Sequence, residues 1–115
     1  MKINDIIAKF NALRENQISA EHKTEIVKAL DRRVCNELID THYQNSDDER
    51  AEGEAVIPDE YFMCYIYWLS HMTDFEVGEI DRSVNEQAMF EAEYDRFVRY
   101  YHATHTPKGV KEIIV

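Results

Sequence analysis

The sequence predicts an all-α protein: a small bundle of four helices, with a long acidic loop between helices 2 and 3 and an extended C-terminal tail. Three observations lead there. Only 3 Gly and 2 Pro occur in the chain, too few to punctuate a many-stranded sheet. Apolar residues recur at three- and four-residue spacing over long windows, the mark of a helix with one buried face. The densest apolar run, Tyr61 to Leu69, continues through Met72 and Phe75 without Gly or Pro, and is too long for a buried strand. At 115 residues the chain holds one domain, 1–106, followed by a tail at 107–115.

The elements follow in order. Ile3, Ile6, Ile7, Phe10 and Leu13 share one face of a helix over about 3–14, which Asn16-Gln17 ends. Ser19 caps a second helix over about 20–42, with Glu21 in its first turn. Its stripe is Ile26, Val27, Leu30, Val34, Leu38 and Ile39, widened by Cys35; Lys28, Asp31, Arg32, Asn36 and Asp40 are expected on the solvated face. Residues 43–57 form the acidic loop, its charge centred on Asp47, Asp48 and Glu49 and its first part without an apolar period. Ala55-Val56-Ile57 brings the chain back to the core. The third helix, 60–77, is capped by Asp59 and is apolar on nearly every face, so other helices must surround it. Gly78 ends it in the left-handed conformation. A fourth helix over 82–102 buries Val84, Ala88, Phe90, Tyr94, Phe97, Val98 and Tyr101. The closing Val110–Val115 is apolar and β-branched with no partner strand in the chain, so it is expected either to be a flexible tail or to add onto the edge of a neighbouring chain.

Charge narrows the function. A formal net charge of −10 opposes binding to a nucleic-acid backbone or an anionic membrane, and suits a basic protein partner or a channel wall that DNA passes without sticking. Ser70, His71, Thr73 and Asp74 interrupt the apolar third helix before it reaches membrane-spanning length. Catalytic constellations are missing: no Gly-rich phosphate loop, nucleophile elbow, His-Glu-x-x-His or Glu-x-x-His occurs. His102 and His105 have ligand-compatible spacing but lack companions nearby, and Cys35 and Cys64 read as buried reduced thiols. No enzyme activity, cofactor or metal is therefore expected. The tyrosines are the better signal, because a phenol joins an apolar body to a polar tip that wants a partner. Tyr61 and Tyr65 stand at i,i+4, and Tyr100-Tyr101 sit near the end of the last helix.

The order of elements resembles that of the head-tail connector (adaptor, head-completion) proteins of siphophages and prophages of Gram-positive hosts. The likeness lies in Asp31 with Glu37-Leu38-Ile39-Asp40-Thr41-His42, and in Ile57-Pro58 with Tyr61 and Tyr65-Ile66-Tyr67-Trp68-Leu69. It continues through Asp74-Phe75, Gly78-Glu79 and Asn85, then Phe90, Tyr94, Phe97 and Tyr100-Tyr101-His102-Ala103-Thr104-His105-Thr106-Pro107. Ile26 and Arg32 depart from that pattern, where an aromatic and a glycine are usual. The resemblance implies a structural virion protein, made in the host cytoplasm and built into the virion neck. Such a protein binds the portal, self-associates into a ring continuing the DNA channel, and docks the next neck or tail-completion protein. Double-stranded DNA passes through without specific binding, and no membrane is involved. The expected contact residues are Asp47, Asp48, Glu49, Tyr61, Tyr65, Tyr100, Thr106, Pro107, Val110, Ile113 and Ile114. A rival reading is an acidic helical regulatory module, of the DNA-mimic or anti-repressor type.

Overall fold

A computed structural model describes residues 1–39 and 53–105. Four helices account for most of them: α1 (Ile3–Leu13), α2 (Ala20–Val34), α3 (Met63–Glu76) and α4 (Ile80–His105). The all-α expectation holds. α1 has the forecast face, with Ile3, Ile6, Ile7 and Phe10 buried. Ser19 caps α2 as expected, its side chain accepting from the His22 N–H at 3.1 Å. α2 continues as a wider π-helical turn, Cys35–Ile39. The forecast residues 40–42 of this helix lie outside the described residues, as do Asp47, Asp48 and Glu49 of the acidic loop.

The third helix starts later than expected. A 3-10 turn, Asp59–Tyr61, precedes it, and Asp59 makes no capping bond there. Its carboxylate instead lies 2.5 Å from the amino group of Met1, because the chain before it pairs with the N-terminus. Ile3 N–H donates to Gly53 O at 3.0 Å and Ala55 N–H to Met1 O at 2.9 Å. The last part of the forecast loop is thus hydrogen-bonded to the body.

α3 is the central helix, packed against α1, α2 and α4, with its largest interface to α4. Its end is a Schellman turn: Glu79 N–H donates to Asp74 O (2.8 Å) and Gly78 N–H to Phe75 O (3.2 Å), with Gly78 at φ +84°. α4 then runs back antiparallel, so that Trp68 meets Phe90 (4.8 Å between ring centres) and Tyr61 meets Phe97 (5.9 Å). Trp68 is half-buried between α4 and the Arg33 guanidinium of α2.

Two expectations about faces need correction. Lys28 and Asp31 are buried, not solvated. The returning segment crosses that side of α2, where Asp31 accepts from the Val56 N–H at 3.2 Å and from the Tyr65 hydroxyl at 2.5 Å. On α4, Val84 is 57% exposed and Ala88 is exposed, while Ser83 is buried. The turn at Gly78 sets the phase of α4 so that Ser83 faces α3, its Oγ donating to His71 O at 3.0 Å. Phe90 and Phe97 of the forecast stripe are buried.

Candidate interaction surfaces

Of the expected contact residues, the structure brings two together. Tyr61, on the 3-10 turn, and Tyr100, on α4, stand 5.5 Å apart between ring centres. Tyr100, with Ile39, Val56, Pro58, Phe97 and Tyr101, bounds a groove of about 340 Å³ beside this ring pair, where the end of α4 passes the turn. Tyr100 is 37% exposed, and the Arg96 guanidinium lies 5.9 Å from the centre of the Tyr61 ring. Tyr65 is a correction. Although it is one helical turn from Tyr61, it is 1% exposed, and its hydroxyl also accepts from the Ile57 N–H at 2.8 Å. Burial pushes its phenol well above the ordinary value, with the Asp31 charge adding to the effect. It belongs to the core, because its polar tip finds both partners inside. Thr106, Pro107, Val110, Ile113 and Ile114 lie outside the described residues.

The second surface lies at the other end of the α3–α4 hairpin and was not foreseen. Leu13, Phe75, Val77, Ile80 and Val84 are 51–66% exposed, and no other large hydrophobic among the described residues is more than half exposed. Four of them flank the Gly78 turn in sequence. Leu13 reaches the same end because its neighbour Arg14 clamps the last turn of α3. A cleft of about 450 Å³ opens there between the α1–α2 connection and α3, with Glu15, Ile18, Thr73, Glu76 and Val77 on its walls. The sequence signal existed: Ile80 and Val84 stand at i,i+4 beside a helix-ending glycine. Spacing alone does not say which way that stripe faces.

A charge cluster braces this end. Arg14, which caps the end of α1, grips the fully buried Asp74 of α3 with both terminal nitrogens, Nη1 donating to Oδ2 at 3.0 Å. Nη1 also lies 3.5 Å from Oε1 of Glu86 on α4, whose Oε2 is buried without a hydrogen-bond partner. The Arg14 bonds hold the Asp74 carboxyl down at about 2. Burial, then the adjacent Asp74 carboxyl, pushes Glu86 up to about 7. His22 Nε2 at the start of α2 meets Glu76 Oε1 at 2.5 Å, so all four helices converge here.

Cys35 and Cys64 are free and buried, and burial raises the Cys64 thiol to about 12, where it holds its proton. Among the described residues no group of three metal-ligating side chains converges, and no helix is long and apolar enough to cross a membrane. Compared with known protein families, curated proteins and solved structures, the chain matches none of them.

Proposed function

We propose that this chain is a structural adaptor that joins two partners in a larger assembly, and specifically a head-tail connector of a tailed phage or prophage. In this reading it binds the portal, self-associates into a ring that continues the DNA channel, and docks the next neck or tail component. It works in the host cytoplasm during assembly and ends in the virion neck. The observation that carries the adaptor reading is the separation of two apolar surfaces. The tyrosine groove and the exposed end at Gly78 lie at opposite ends of the α3–α4 hairpin. The 14 residues of α3 between them span about 21 Å at the usual helical rise. A link between two partners needs two such faces on a rigid body, and α3 with its surrounding helices supplies the body. The net charge of −10 suits a lumen through which a duplex slides without adhering. The connector identity is supported by the sequence resemblance.

Deleting the gene from an inducible prophage tests this reading. DNA packaging should start, but filled heads should fail to hold the genome or accept a tail. Emptied heads and free complete tails should accumulate under the electron microscope. Normal plaque-forming particles from the deletion would overturn the connector role.

A further inference from the structure

We infer that the exposed apolar end around Gly78 receives a basic, amphipathic helical segment of another protein. Its apolar side chains would sit on Phe75, Ile80 and Val84, and its Lys or Arg side chains against the surrounding carboxylates. The inference rests on the reading of this end as a contact surface and adds the chemistry of what sits there.

Three observations carry it. The apolar residues are not spare parts of the core. Val77 and Leu13 are 66% exposed, Phe75 59%, Val84 57% and Ile80 51%, and they gather at one end, while elsewhere among the described residues the exposed large hydrophobics are Met89 at 48% and Tyr100 at 37%. The rim is one-sided in charge. Residues 75–82 contain the exposed acids Glu76, Glu79 and Asp81 against the single cation Arg82, and exposed Glu15 shares the cleft with Glu76. Arg14 also lines the cleft, but both terminal nitrogens of its guanidinium are taken up by Asp74. A cleft of about 450 Å³ with Glu15 and Glu76 on its walls and Val77 at its edge therefore suits a long cationic side chain, whose stem would lie along the apolar rim.

Charge also decides against a second copy of this chain as the occupant. Two such ends face to face would oppose carboxylate to carboxylate. At the far end of the hairpin the exposed guanidinium groups of Arg96 and Arg99 are already paired, with Glu93 at 2.7 Å and Asp95 at 2.8 Å. The bound shape is prepared in advance, since the Schellman turn, the Arg14–Asp74 clamp and the His22–Glu76 contact hold three connections in place.

The test uses the full chain and two short peptides patterned as amphipathic helices, one of Leu and Lys, the other of Leu and Glu. Titration followed by amide chemical shifts should show saturable binding of the Lys peptide, with shifts confined to residues 13–18 and 73–86. Affinity should fall about tenfold or more in a Val77→Ser/Ile80→Ser double variant, and separately in Glu76→Gln/Glu79→Gln. The Glu peptide should not bind. Shifts spread over other faces, or affinity unchanged in both variants, would overturn the inference. So would a self-associated species in sedimentation that the Val77→Ser/Ile80→Ser change dissolves, because the occupant would then be a second copy. The same double variant separates the two readings in the induced prophage. Normal particles would remove this end as a contact surface. Failed assembly of the variant, combined with no Lys-peptide binding by the wild-type chain, would keep the surface and reject the basic partner.

Discussion

Tyr65 and Asp31 lock the returning segment onto the bundle with a few polar atoms in an otherwise apolar interior. The Tyr65 hydroxyl donates to Asp31 Oδ1 and accepts from the Ile57 N–H, and Asp31 Oδ2 takes the Val56 N–H. Tyr65→Phe keeps the ring but strips the Ile57 N–H of its acceptor and Asp31 of one donor. An equilibrium urea melt should show a loss of about 2 kcal/mol, typical of leaving buried polar groups unmatched. Glu86 makes a different prediction, one that depends on pH. Its folded pKa of about 7 lies above the ordinary 4.5, so the folded chain holds a proton that the unfolded chain has released. That contribution is complete below 4.5 and is lost as pH rises through 7. Asp74 works in the opposite sense. Its contribution is present above 3.8 and is lost as pH falls toward 2. Stability of the wild type should therefore decline from pH 5 to pH 8 by about 1–2 kcal/mol, a value reduced for the partial exposure of the Glu86 side chain. Glu86→Gln should flatten that decline in denaturant midpoints measured across the range.

At the scale of the element, the turn between α3 and α4 decides most. Gly78 takes φ +84°, and nothing lies within 4 Å of where a Cβ would point. Gly78→Ala therefore meets no steric neighbour, and its effect isolates the backbone. Thermal unfolding should report a loss of about 1 kcal/mol, the usual penalty of a left-handed L-residue. The turn also fixes the phase of α4. Ser83 faces inward to His71, Phe90 meets Trp68, and the ring contacts continue through Tyr94 and Phe97 to Tyr101. The same phase turns Ile80 and Val84 outward, which is how a helix-ending glycine comes to sit in the middle of an exposed apolar patch.

For the molecule as a whole, the core and the exposed apolar end are built from separate residues. The core joins α1, α2, α3 and α4 around Phe10, Leu30, Leu69 and Phe90, none of which reaches the surface. The residues at the Gly78 end lie outside that cluster. Val77→Ser/Ile80→Ser should consequently leave the denaturation midpoint within about 0.5 kcal/mol of wild type, the range of ordinary surface changes. A large loss of stability in this variant would show instead that the end is braced by its apolar residues and not by Arg14, Asp74 and Glu86.

The four helices, the Ser19 cap, the Gly78 stop and the central place of α3 were all legible in the sequence. Each rests on local chemistry: a 3.6-residue period, a hydroxyl before a helix, a glycine after one, and an apolar run too long for a strand. The pairing of Tyr61 with Tyr100 was legible only as two tyrosines of interest, since 39 residues separate them in the chain. What tertiary structure alone decided is which polar groups go inside and which apolar groups stay out. Asp31 is buried because a segment more than twenty residues later crosses it and supplies a backbone N–H, while Tyr65 supplies a hydroxyl from another helix. Arg14, Asp74 and Glu86 meet from three helices, and no period in any one of them announces the meeting. Val84 and Phe90 look alike on a helical stripe, but a stripe has a direction only once its neighbour is placed. The rotation set at Gly78 chose Phe90 for the core and left Val84 exposed.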